Sequence, residues 1–177
     1  MTDTRLIAHL DLDSFFVSVE RLQNSRLNGL PVIVGGFSDR SVVSSCSYEA
    51  RKFGVKSGIP VRMAKHLCPD AVIIRGDMDA YSRYSRIVTD IIADQAPVYE
   101  KAGIDEHYID ITGIDRFFGA YKWTKSLRKK IIKESGLPIS FGLSVNKTVA
   151  KIATGESKQI GGELFVEKLR VNPFLDP

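Results

Sequence analysis

The sequence has 177 residues and a mass of 19.7 kDa, enough for one substantial domain or two small ones, since a domain of about 150 residues buries roughly 70% of its unfolded surface. Apolar residues at 44%, charged residues at 26% and a mean hydropathy of −0.06 exclude a disordered or collagen-like chain, and no apolar run approaches the roughly 18 residues of a membrane span. The net charge of +4 hides an asymmetry: residues 1–120 hold 14 Lys+Arg against 16 Asp+Glu, and residues 121–177 hold 11 against 5. An acidic front half suits metal ions and a basic back half suits phosphates, so a polyanionic partner is expected. The N-terminal stretch reaches acidic residues too soon for a secretory signal. Cys46 and Cys68 make neither a disulfide framework nor a zinc set, and are expected as reduced, half-buried side chains in a cytoplasmic protein.

In chain order, residues 6–12 read as a buried strand running into a helix on which Phe16, Val19 and Leu22 recur at helical spacing. Residues 31–35 and 41–45 are two short strands around a turn holding Gly35, Gly36, Ser38 and Asp39. Short helices follow over 48–53 and 61–67, then a strand over 71–75. Tyr81, Tyr84, Ile87 and Ile91 mark a long amphipathic helix from Asp77 to about Ala93. Strands near 98–101 and 107–112 flank the turn Gly103, Ile104, Asp105, Glu106. Trp123, Leu127 and Ile131, with Lys125, Lys129, Lys130 and Lys133 opposite, give a helix with a basic face, stopped by Gly136 and Pro138. A strand over 139–143 and a helix opened by Asn146 and running through Ala153 complete the pattern. With residues 25–76 set aside as an insertion, the order is strand, helix, strand, strand, helix, strand, the βαββαβ of an α+β ferredoxin-like unit.

Asp11 and Asp13 close the first strand, and Asp105 and Glu106 sit where two later strands meet. In the ferredoxin-like order the first and third strands are neighbours, so these carboxylates can converge. Converging carboxylates repel unless a cation lies between them, and hard oxygen ligands suit Mg²⁺ or Mn²⁺ rather than zinc. Two such ions would form the clamp used in phosphoryl and nucleotidyl transfer. Asp13, directly before Ser14, is expected as the N-cap of the first helix. Asp11 in an apolar strand needs a metal or a hydrogen-bond network, because burying a bare carboxylate costs several kcal/mol.

At this point the residues carry a resemblance. The stretch IAHLDLDSFFVSVE (7–20) resembles the opening motif of Y-family translesion DNA polymerases, the polymerase IV branch in particular. Three more blocks agree in order and spacing: YEARKFGVKSGIP (48–60), IDEHYID (104–110) and GLSVNKTVAKIA (142–153). The resemblance covers essentially the whole chain.

It implies that the ferredoxin-like unit, residues 1–24 and 77–177, is the palm and that residues 25–76, a small α/β subdomain, are the fingers. Asp11, Asp105 and Glu106, with the backbone carbonyl of Leu12, match the metal-binding positions for two Mg²⁺ ions, for which Mn²⁺ can substitute. Asp105 and Glu106 are the catalytic pair. Phe16 matches the steric gate, a flat ring that leaves a ribose 2′-hydroxyl neither room nor a partner. Tyr48 and Arg51, three apart on one helix face, match, with Ser45 and Lys158, the positions that grip the incoming triphosphate. Lys158 is expected in a loop after the last helix.

The implied function is template-directed, error-prone DNA synthesis from deoxynucleoside triphosphates on primer–template DNA, with a sliding clamp as a further partner of the C-terminal part. Family members continue into thumb and little-finger domains, so this chain is expected to be a palm-and-fingers piece, weakly active alone. Two departures stand beside the carboxylates: Gly103 where Ser is usual, removing a hydroxyl that supports the loop, and His107 where a small residue is usual, expected to add a contact or titrate near neutral pH. The alternatives are a catalytically silent module that binds DNA or a partner through the basic helix over 122–133, and a two-metal nucleotide cyclase. The absence of a GGDEF-type hairpin argues against the cyclase.

Overall fold

Strand β1 (Ile7–Leu12) is buried at all but one position, because it lies in the middle of a five-stranded sheet. The computed structural model describes residues 5–38, 40–114 and 119–176; Asp39 of the expected turn and the terminal Pro177 lie outside them. Helix α1 (Phe15–Gln23), strands β2 (Val32–Gly35) and β3 (Val43–Cys46), helices α2 (Tyr48–Arg51) and α3 (Val61–Leu67) and strand β4 (Val72–Ile74) follow. Next come α4 (Met78–Gln95), β5 (Val98–Lys101), β6 (Glu106–Asp110), α5 (Ala120–Ser135), β7 (Ile139–Ser144), α6 (Lys147–Ser157), β8 (Glu163–Phe165) and α7 (Val171–Leu175). The chain forms two compact units, one of residues 1–13 with 85–177 and one of residues 14–84.

The first unit holds the sheet, in the order β5-β6-β1-β7-β8. β1 runs antiparallel to both β6 and β7, and β8 joins β7 in parallel. Apart from β8 this is the expected ferredoxin-like order, with first and third strands adjacent. Alternation along the strands gives one apolar face, including Leu10, Leu12, Ile109, Ile139 and Phe141, all buried. α5 contributes Leu127 and Ile131 to this core and ends at Gly136, whose φ of 74° and amide bond to the Ile132 carbonyl make a C-terminal cap.

The opposite face is covered by α6. Gly142 of β7 permits its close approach: a Cβ there would collide with the Ala150 carbonyl and the Thr154 amide and lie 2.8 Å from the Ala153 carbonyl carbon. Asn146 caps α6 by accepting from the Val149 amide at 2.9 Å. α6 continues to Ser157, so Lys158 is its C-cap residue and not part of a free loop. β8 and α7 were not expected; a three-residue, half-buried edge strand leaves almost no periodic signal.

The second unit is built on a three-stranded sheet, β3-β2-β4, with β2 antiparallel to β3 and parallel to β4. Ile33, Val43, Cys46, Ala50, Val55, Val61, Ala64 and Cys68 form its core. Both cysteines are therefore free and fully buried rather than half-buried, serving as small apolar side chains.

Two helix faces differ from expectation. On α1 the buried residues are Phe15, Val17, Val19 and Glu20, while Leu22 is exposed. On α4 Tyr81 and Ile91 are buried as expected, but Tyr84 is half-buried and Ile87 exposed, and Ala80, Ser85, Val88 and Ile92 complete the buried face. A polar residue in each stripe, Glu20 and Ser85, is buried through a hydrogen bond, Glu20 to the Tyr81 hydroxyl and Ser85 to the Ile104 carbonyl, which an apolar count misses.

Candidate active site

The register of β1 on β6 sets Asp11 opposite Glu106 and His9 opposite Tyr108. Directly paired residues of an antiparallel ladder share a face, so His9, Asp11, Glu106 and Tyr108 line the α6 side of the sheet. The Leu12 amide donates to the Asp105 carbonyl at 3.0 Å, tying the end of β1 to the β5–β6 turn. That turn is closed by the amides of Ala102 and Gly103, which donate to the Glu106 carbonyl at 3.0 and 3.2 Å. Ser85 of α4 donates to the Ile104 carbonyl, and Lys101 Nζ donates to Ser85 Oγ at 2.8 Å. A hydroxyl from α4 thus braces the loop where Gly103 has none.

Each carboxylate has its own surroundings. Lys158 Nζ forms an ion pair with Asp11 and lies 3.3 Å from Asp13. Asp13 is not the helix cap: Ser14 holds that position with φ 43°, and Asp13 accepts from Ser140 Oγ at 2.9 and 3.0 Å. β7 and α6 supply these partners, which sequence neighbours could not reveal. Glu106 Oε1 accepts from His9 Nε2 and Lys151 Nζ, each at 2.7 Å. Partial burial pushes the Glu106 carboxyl up, but those two hydrogen bonds outweigh it and hold the group below its ordinary range. Asp105 is raised, first by burial and then by the charge of Asp11. Burial lowers His9 despite its bond to Glu106.

Among the described residues, no three His, Cys, Asp or Glu side chains are grouped so as to hold a metal ion. The donor chemistry nonetheless fits a hard divalent cation. Asp11, Asp105 and Glu106 offer only oxygen, and the charge of Asp11, which after burial is the next cause that raises the Asp105 carboxyl, is one that a cation would offset.

In the second unit, Tyr48 and Arg51 share one face of α2, and the Arg51 guanidinium lies 4.9 Å from the Tyr48 ring centre. Arg51 also donates to Ser14 Oγ at 3.3 Å. Both Tyr48 and Arg51 are exposed. Ser47 caps α2 through the Ala50 amide. Ser45 is buried on β3, between exposed Ser44 and buried Cys46. Phe16 is half-buried and stacks on Tyr81, ring centres 4.2 Å apart and planes 10° apart. Tyr81 is itself fixed by donating to Glu20 Oε1 at 2.6 Å.

His107 does not lie beside the carboxylates as expected. Strand alternation turns it to the other face, where it is fully buried and its Nε2 pairs with Thr89 Oγ1 at 2.9 Å. Burial, reinforced by Lys101, lowers it to about 4, so it is neutral at physiological pH. Sequence reasoning missed His9, Lys151, Thr154, Ser140 and the role of Asp13. The one available signal was His9 two residues before Asp11, hence on the same strand face.

Residues 10–155 match the model of the impB/mucB/samB family. DNA polymerase IV of Treponema denticola is 47% identical over 169 residues, covering 95% of this chain and 42% of the relative. DNA polymerase IV of Dehalococcoides mccartyi is 44% identical over 159 residues, covering 89% of this chain and 41% of that protein. The chain thus spans under half the length of these relatives. Among solved structures, an insertion ternary complex of Dbh DNA polymerase superposes with a TM-score of 0.89 at 29% identity, over 97% of this chain and 51% of that one. DinB from Sulfolobus solfataricus gives 0.88 at 28% identity, over 96% of this chain and 50% of that one. With the motifs, the ferredoxin-like sheet and the Asp11–Glu106 pairing in agreement, the chain belongs to the impB/mucB/samB family of Y-family DNA polymerases.

Proposed function

We propose that this chain carries the palm (residues 1–24 and 77–177) and the fingers (residues 25–76) of a translesion DNA polymerase that extends a primer along a template. The observation that supports it most is the cross-strand pairing of Asp11 with Glu106, with Asp105 tied to the end of β1 by the Leu12 amide. The reaction is attack of the primer 3′-hydroxyl on the α-phosphate of a deoxynucleoside triphosphate, with pyrophosphate leaving. Asp11, the Leu12 carbonyl, Asp105 and Glu106 would hold two Mg²⁺ ions, or Mn²⁺ in their place. Such ions neutralise charge on the transferring phosphoryl group and acidify the attacking hydroxyl.

The rest falls to the chain's own groups. Arg51 supplies a planar fork and Lys158 a point charge for phosphate oxygens, while Tyr48 and Ser45 add hydroxyl donors. The ring of Phe16, held by Tyr81, denies space to a ribose 2′-hydroxyl. Catalysis comes mainly from positioning and charge neutralisation. Low-fidelity bypass of lesions, a sliding clamp held by the C-terminal part of the full-length enzyme, and a cytoplasmic setting with DNA and nucleotides complete the reading. DNA repair is the process it serves.

Primer extension tests this on a chimera joining the chain to the C-terminal part of Treponema denticola DNA polymerase IV. The chimera is expected to add deoxynucleotides with Mg²⁺ and to stop on chelation, and the 177-residue chain alone is expected to extend weakly. A chimera that adds none while the parent enzyme does overturns the proposal.

A further inference from the structure

The donors that reach Glu106 all meet at one of its two oxygens. His9 Nε2 and Lys151 Nζ each lie 2.7 Å from Oε1, and the Tyr108 hydroxyl lies 3.5 Å from it. No hydrogen bond to Oε2 is present among the described residues. A carboxylate only accepts hydrogen bonds, so His9 Nε2 carries the proton of that contact. The two close donors differ in rigidity. The Lys151 side chain is 57% exposed on a flexible stem, whereas that of His9 is 2% exposed and a planar ring.

The far side of the ring is held as well. His9 Nδ1 lies 2.7 Å from Thr154 Oγ1, and Thr154 is a buried residue of α6. Thr154 Oγ1 is held in turn by the Ala150 carbonyl at 2.9 Å and the His9 carbonyl at 3.1 Å, so the contact fixes the ring whichever of Nδ1 and Oγ1 carries its proton. Gly142, opposite His9 in the β1–β7 ladder, lets α6 come close enough for this bond. A continuous line of hydrogen bonds therefore runs from helix α6 through the sheet-bound histidine to one oxygen of Glu106.

We propose that His9, keyed by Thr154, is a positioning residue that pins Glu106 Oε1 and leaves Oε2 as the oxygen presented to the reacting groups. The proposal rests on the polymerase reading for what Oε2 meets. The hydrogen-bond line itself does not depend on that reading. Hydrogen-bonded supports of this kind orient ligating carboxylates, and their loss typically costs about 10- to 100-fold in metal affinity or activity.

Two measurements test it. In the 177-residue chain with ¹⁵N-labelled histidine, NMR is expected to show a proton on His9 Nε2; a ring whose Nε2 carries no proton overturns the proposal. In the chimera, His9→Leu is expected to lower kcat about 10- to 100-fold with nucleotide KM changed less than about twofold. His9→Gln, which offers an amide N–H near the position of Nε2, is expected to recover most of that loss. Wild-type kcat in a folded His9→Leu, a loss confined to KM, or a folded His9→Gln as slow as His9→Leu would each overturn it. Failure of the polymerase reading would show separately, as a wild-type chimera that adds no nucleotide.

Discussion

Asp11 and Glu106 face each other because β1 and β6 pair in one register, and a slip of β1 by a single residue would turn Asp11 to the apolar face. Residues two apart share a strand face, so the position of His9 was open to inference from Asp11; the donors from α6 were not, since 145 positions separate His9 from Thr154. The motif blocks made Asp11, Phe16, Tyr48, Arg51, Asp105 and Glu106 visible at once, but not what each touches. Asp13 shows the difference: its place before a helix suggested a cap, and the fold gave it Ser140 and Lys158 instead. Two single substitutions follow. A Cβ at Gly103 would meet its nearest neighbour, Glu106 Cβ, at 3.7 Å, an ordinary contact, and Ser85 already braces the loop. Gly103→Ala should therefore fold normally and gain about 0.4–1 kcal/mol in urea denaturation, by restricting the unfolded chain. Phe16→Ala in the chimera should raise ribonucleotide use relative to deoxynucleotides about tenfold or more, measured as the ratio of kcat/KM; an unchanged ratio removes the gate role.

At the scale of elements, the strand order was legible because βαββαβ leaves few ways to pair the strands, and the boundaries of α3 matched its apolar run, while β1 begins one residue later than expected. The buried faces of α1 and α4 were not, because buried Glu20 and Ser85 read as solvent-facing residues until their partners are known. α6 depends on Gly142 for its seat. Gly142→Ala should cost at least about 1–3 kcal/mol through overpacking, seen as a lower urea midpoint with an unchanged m-value. The edge strand β8 is tied to α5 through Glu163, which takes the Tyr121 hydroxyl, Lys125 and Arg128 at 2.9, 3.1 and 2.8 Å. Burial pushes the Glu163 carboxyl up, but these partners outweigh it and hold it below its ordinary value. A carboxyl depressed in the folded state stabilises the fold above its unfolded pKa, and that stability is lost as pH falls through the folded value. The urea midpoint should thus drop between pH 6 and pH 3, and drop less in Glu163→Gln; equal drops would show that Glu163 carries none of the effect.

For the molecule as a whole, the charge asymmetry acquires particular owners. The acidic front half includes Asp11, Asp105 and Glu106. Part of the basic back half is spent internally, Lys125 and Arg128 on Glu163 and Lys130 on Asp94, while Lys151 and Lys158 neutralise the carboxylates themselves. The basic helix α5 is therefore less free than its composition suggested, with Lys122, Lys129 and Lys133 as its exposed lysines. Among the described residues no helix is long and apolar enough to cross a membrane. The compact units, residues 1–13 with 85–177 and residues 14–84, have no signature in the local pattern, because contacts over long separations leave none to read.

The proposed nucleotidyl transfer places its chemistry on Asp11, Asp105 and Glu106. Its most direct test is single-nucleotide primer extension by the chimera with Mg²⁺, comparing the wild type with Asp105→Ala after both are shown to be folded. Addition by the wild type is expected, with a loss of at least about a hundredfold in kcat for Asp105→Ala. Wild-type rates in Asp105→Ala would contradict it.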